Sequence, residues 1–176
     1  NDIMAGYDGN DVLKGMDGKD KLYGGNDSDV LSGGNGKDIL NGGDGNDNLM
    51  GGSGDDAIKG GSGRDRIEGG DNADCILGNG GNDVIWGDNA DGDSGGNESS
   101  YTIDGGNGND FMTGGEGFDT LNGGVGNDRL FGGPSGNDVL NVRYVRDGVF
   151  QADVRYSLVG GSGCCSNLAE QVLITN

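Results

Sequence analysis

Histidine is absent from this chain of 176 residues, proline occurs once and cysteine three times. Without histidine, neither Ser-His-Asp nor Cys-His nucleophilic catalysis can be assembled. No cysteine pair stands at zinc spacing either, so a transition-metal site is not expected. Aromatic residues make up 6% and hydrophobic residues 31%, too few for an ordinary globular core. No apolar run approaches the roughly 20 residues a membrane-spanning helix needs, so no membrane insertion is expected. Basic residues are scarce: 11 Lys and Arg face 30 Asp and Glu, for a formal charge of -19. That sign repels a phosphate backbone and excludes a nucleic-acid partner. Glycine is abundant at 43 residues, but without a period of three and without proline it does not make collagen.

What the chain has is a period. Residues 33–68 read GGNGKDILN GGDGNDNLM GGSGDDAIK GGSGRDRIE, four copies of a nine-residue unit. Its aspartates recur as Asp2, Asp11, Asp20, Asp29, Asp38, Asp47, Asp56, Asp65, Asp74 and Asp83. Two residues after each stands Met4, Leu13, Leu22, Leu31, Leu40, Leu49, Ile58, Ile67, Ile76 or Ile85. So acidic a composition often means disorder, but a strict short period marks a solenoid. The unit resumes with Asp110, Asp119 and Asp128 and, after one extra residue at Pro134-Ser135, with Asp138.

Each unit reads as a turn followed by a three-residue strand about 10 Å long. The aliphatic residue points inward and its two neighbours outward. Glycine allows the positive φ that reverses the chain. Two units make one 18-residue coil with two facing sheets, and coils stack at about 4.8 Å. This fold is all-β, a parallel β-roll of two-nonapeptide coils. Stacking places Asp20, Asp38, Asp56 and Asp74 along one edge and Asp11, Asp29, Asp47, Asp65 and Asp83 along the other. Carboxylates about 5 Å apart repel unless a cation lies between them. Calcium suits such a place because it accepts carboxylates and backbone carbonyls in flexible geometry. The candidate ligands are Asp2, Asp11, Asp20, Asp29, Asp38, Asp47, Asp56, Asp65, Asp74, Asp83, Asp110, Asp119, Asp128 and Asp138, holding multiple Ca2+ ions.

The stretch GDNADGDSGGNESSYTID, residues 87–104, departs from the pattern. Residues 96–104 are expected to keep a strand at Ile103, with Tyr101 at the aspartate position. Residues 87–95, with Gly92 at that position, are expected to bulge outward. Gly92 and Tyr101 should therefore interrupt the ion columns. Outward positions are unusually apolar: Val12, Val30, Met50, Val84 and Trp86 are expected on one side, Tyr23, Leu77, Phe111 and Phe131 on the other. Trp86 should be covered. The expected organisation is 1–86 regular roll, 87–104 degenerate repeats with a surface bulge, 105–141 roll continued, and 142–176 a C-terminal β cap or docking segment. Alternating apolar residues in that tail predict two strands about Arg146-Asp147-Gly148 and a third at Val172–Thr175. Cys75, Cys164 and Cys165 leave pairing open. Of two glycosylation sequons, Asn26-Asp27-Ser28 falls inside a turn, and Asn97-Glu98-Ser99 is the better candidate.

The Gly-Gly-x-Gly-x-Asp-x-aliphatic-x unit resembles the RTX, or hemolysin-type, calcium-binding repeat family over residues 2–141. The resemblance implies a parallel β-roll, export in an unfolded state from a calcium-poor cytosol, and folding outside in calcium. Asp27 and Asn72 replace the fourth-position glycine and Asn79 a paired glycine. Two functional readings stand. One is a non-enzymatic, secreted or cell-surface structural protein that folds on calcium and assembles with copies of itself, end to end or laterally, into a layer or fibre. The other is the RTX segment of a secreted enzyme, toxin or adhesin exported by type I secretion. The chain opens mid-motif at Asn1-Asp2-Ile3-Met4, which predicts a longer parent product.

Overall fold

The computed structural model describes residues 1–87, 100–115, 117–133, 137–146 and 149–159, with backbone alone from residue 142. In chain order the strands are β1 (Ile3–Asp8), β2 (Val12–Asp17), β3 (Lys21–Asn26), β4 (Val30–Asn35), β5 (Ile39–Asp44), β6 (Asn48–Ser53), β7 (Ala57–Ser62) and β8 (Arg66–Asp71). They continue as β9 (Cys75–Gly80), β10 (Val84–Trp86), β11 (Thr102–Asn107), β12 (Phe111–Thr113), β13 (Thr120–Asn122), β14 (Arg129–Phe131), β15 (Asn137–Arg146) and β16 (Val149–Val159). Odd-numbered strands through β15 stack in order in one sheet, with β16 added at its end; even-numbered strands form the facing sheet. Apart from the β15–β16 pair, all pairings are parallel. The chain is thus the expected parallel β-roll.

The ladder register is the repeat made visible. Leu22 pairs with Leu40 and Leu31 with Leu49, each 18 residues apart. The inward aliphatics Leu22, Leu31, Leu40, Leu49, Ile58, Ile67, Ile76, Ile85, Ile103, Met112, Leu121 and Leu140 are buried in one spine. Strands are longer than three residues in the regular coils. Pairing resumes past the inward glycine, as in Gly25↔Gly43 and Asn26↔Asp44, because the second glycine of the pair turns at positive φ (Gly43, 116°) and realigns the backbone.

At residues 87–101 the register jumps. Cys75 pairs with Thr102 and Val84 with Phe111, both 27 apart. Nine additional residues therefore enter a single turn, and no half-coil is added. This corrects two expectations. Phe111 and Phe131 lie on the even sheet with Trp86, because the count of half-coils is one fewer than the count of nonapeptides. The second file passes directly from Asp83 to Asp110 without the expected gap, and Gly92 itself lies outside the described residues. The expected bulge, and Asn97, lie outside the described residues. Tyr101 and Ile103 stand as expected, with Ile103 fully buried in β11.

Downstream, β15 pairs parallel with β13 through Val139–Asn141. It then pairs antiparallel with β16, Arg146 facing Val149. The two predicted tail strands are present. Asp147, Gly148, Pro134, Ser135, Cys164, Cys165 and the strand expected at 172–175 lie outside the described residues.

Candidate metal centre

Stacking brings the aspartates into two files, one on each edge of the roll. The first edge carries Asp2, Asp20, Asp38, Asp56, Asp74, then Tyr101, Asp119 and Asp138. The second carries Asp11, Asp29, Asp47, Asp65, Asp83, Asp110 and Asp128. Asp20, Asp29, Asp38, Asp47, Asp56, Asp65, Asp74, Asp83, Asp110, Asp119 and Asp138 are buried; Asp11 and Asp128 are half-buried and Asp2 is exposed.

Each file is tied by one repeated hydrogen bond. The Asp20 N–H donates to Asp38 Oδ1 at 2.8 Å, Asp38 to Asp56 at 2.8 Å, and Asp56 to Asp74 at 2.8 Å. On the second edge Asp29 donates to Asp47 at 2.8 Å, Asp47 to Asp65 at 3.0 Å and Asp65 to Asp83 at 2.9 Å. Asp83 then donates to Asp110 at 2.8 Å, across the 27-residue step. Asp119 donates to Asp138 at 3.0 Å, offset 19, which registers the one extra residue expected in the last repeat.

Only one oxygen of each carboxylate is used this way. Oδ2 of Asp11, Asp20, Asp29, Asp38, Asp47, Asp56, Asp65, Asp74, Asp83, Asp110 and Asp128 is buried and accepts no hydrogen bond. It lies over the first glycine of the preceding pair. A methyl group on Gly24 would stand 2.2 Å from Asp29 Oδ2 and 2.6 Å from the Gly42 carbonyl oxygen. On Gly51 it would meet Asp56 Oδ2 and the Gly69 carbonyl, both at 2.5 Å. Carboxylate and carbonyl oxygens of successive coils thus face one confined space that any side chain would fill. Sequence reasoning missed this use of glycine. It assigned the pair to chain reversal, but only the second member has positive φ; the first is there for room.

Burial is the main cause of unusual acidity along both files. Asp74 is pushed up to about 8, Asp56 and Asp65 to about 7, and Asp83 and Asp128 to about 6. Loss of water raises each, and neighbouring carboxylates add to it, while the N–H from the preceding coil pulls back. Asp47, Asp110 and Asp138 are raised by the same burial. Asp20 goes down, because the Asp2 N–H outweighs its desolvation.

Among the described residues no three His, Cys, Asp or Glu side chains gather at one point. The donors are single carboxylates stacked with carbonyls, which suits a hard cation that takes oxygen ligands from backbone. The outer turn positions carry ladders of their own. Asn26 Nδ2 donates to Asp8 Oδ1 at 2.7 Å and Asn35 Nδ2 to Asp17 Oδ1 at 2.8 Å. The sequon amide of Asn26 is therefore engaged within the roll. On the even sheet, Trp86 is half-buried with the Arg66 guanidinium 4.2 Å over its ring, and Phe111 packs on Phe131 at 5.3 Å.

Among known families, the model described as "RTX calcium-binding nonapeptide repeat (4 copies)" matches residues 1–31, 23–58, 50–85, 59–97 and 104–140. No curated protein and no solved structure gives a significant match. With the repeat matched over most of its length and the coils, spine and aspartate files in register, the chain belongs to the RTX calcium-binding repeat family.

Proposed function

We propose that the two aspartate files hold calcium ions between successive coils, and that the chain is a structural rod that becomes rigid on loading. The ligands are the fourteen aspartates of the two edges together with glycine carbonyls of the turns. One observation carries this reading: a buried Oδ2 without a hydrogen-bond partner recurs at coil after coil. Two ionised carboxylates about 5 Å apart, at an effective dielectric constant near 20, repel by about 3 kcal/mol. One N–H bond to a charged acceptor contributes about 1.5–3 kcal/mol. A mid-file carboxylate has two such neighbours and one such bond, so the balance stays unfavourable until a cation enters. Binding energy then becomes folding energy.

Such a protein works where calcium is plentiful, so this reading places it outside the cell, without catalysis. Ile3, Tyr7, Val12 and Met16 stand exposed on the edge strands β1 and β2. That exposure favours another coil or another copy stacking there, as in a fibre or in a larger exported protein. Equilibrium dialysis against calcium tests the ion assignment: Asp47→Ala should bind about one to two fewer ions than the parent chain. An unchanged count would remove Asp47 from the ligand set.

A further inference from the structure

The first edge departs from its own rule at one place. Tyr101 occupies the aspartate position, and its ring is buried against Gly87, whose added methyl would stand 2.8 Å from Tyr101 Cγ. Its backbone keeps one link of the file: the Tyr101 N–H donates to Asp119 Oδ1 at 2.9 Å. Its side chain does something no aspartate can do. The phenol O–H donates to the carbonyl oxygen of Gly70 at 2.9 Å, in the turn that ends at Asp74. A glycine carbonyl of that turn thus meets a hydrogen-bond donor from the coil above. The Gly114 carbonyl oxygen still approaches the same space, 2.5 Å from a methyl on Gly87, but the space holds a ring.

We propose that Tyr101 is a built-in substitute for calcium at this one joint. This rests on the calcium reading of the files. The neutral phenol fills the volume and satisfies the Gly70 carbonyl, and it adds no charge to Asp74. The joint between the turns of Asp74 and Asp119 is therefore closed without metal. It is also the joint whose turn carries the nine additional residues. A cation site needs its turn carbonyls held in fixed register; a ring and one hydrogen bond need only the two ends of the turn. The exchange lets this turn carry nine additional residues while the strands on either side keep their stacking.

The test is the structure of the parent chain crystallised in calcium, with calcium counted in solution for Tyr101→Asp and Tyr101→Phe. Ion density should appear beside Oδ2 in the regular coils and not at the Gly70 carbonyl. Tyr101→Asp should bind about one ion more per chain. Tyr101→Phe should bind the parent number and melt lower. Calcium at the Gly70 carbonyl of the parent chain would overturn the proposal while leaving the calcium reading intact. So would an unchanged ion count in a folded Tyr101→Asp protein. Absence of ions from every coil would overturn the calcium reading itself. If Tyr101→Asp does not fold, the parent structure and Tyr101→Phe still decide.

Discussion

The two edges of the roll pass the same point in different ways. On the second edge the file runs from Asp11 to Asp128 with a carboxylate at every coil, and Asp83 reaches Asp110 as closely as any regular pair. On the first edge the turn after β10 takes in nine more residues, and Tyr101 replaces the carboxylate. The spine continues across the step, with Ile85 before it and Ile103 after it both fully buried. The lesson is that register belongs to the strands and the spine. A turn tolerates insertion provided its two ends are tied.

The comparison can be broken most severely at the glycines that make room for Oδ2. On the regular second edge, Gly42→Ala would put a methyl 2.3 Å from Asp47 Oδ2 and 2.7 Å from the Gly60 carbonyl. Loss of about 4 kcal/mol or more is expected, in the range of severe core mutations, read as a fall in the denaturation midpoint in calcium. Gly9→Ala is the control. Gly9 has φ of 106° but open space around it, so only left-handed strain of about 1–2 kcal/mol is expected.

Acidity sets the buried carboxylates of both edges apart from ordinary aspartates. Folding raises the pKa of Asp56 and Asp65 to about 7 and that of Asp74 to about 8. Between the unfolded carboxylate value and these, the folded chain without calcium binds more protons than the unfolded chain. Its stability therefore falls as pH rises through that window, the reverse of a salt-bridged aspartate. In chelator, acidification toward pH 5 should recover β structure. In calcium the ion must displace those protons, so the calcium midpoint should move to higher concentration as pH drops from about 8 to about 6. Asp56→Asn should flatten this dependence on the first edge. An unchanged slope would mean that its titration is not linked to the ion.

The smallest effect concerns the outer face. Arg66→Ala removes the cation over Trp86 and should cost about 0.5–1 kcal/mol. Tryptophan emission should shift to the red, with calcium binding unaffected. An unshifted spectrum would mean that other groups cover the indole.

Much of this was legible because period, inward aliphatic and aspartate are fixed by one geometry. Leu22 to Ile85 and the two files follow from counting by nine. Counting failed where counting was the only guide. Gly92 looked like a file member because it falls nine after Asp83, but nothing in a nonapeptide count says whether nine residues form half a coil or lengthen a turn. The same ambiguity put Phe111 and Phe131 on the wrong sheet. The role of Gly24, Gly42 and their equivalents was hidden for another reason. A glycine needed for absent volume and one needed for positive φ are the same letter, and only the position of Asp Oδ2 distinguishes them.

The central claim, that the carboxylate files make this fold depend on calcium, is tested most directly by far-ultraviolet circular dichroism of the whole chain at neutral pH, in millimolar calcium and in EDTA. The account predicts a β spectrum in calcium, its loss in chelator, and its return when calcium is restored. A full β spectrum in EDTA would contradict it.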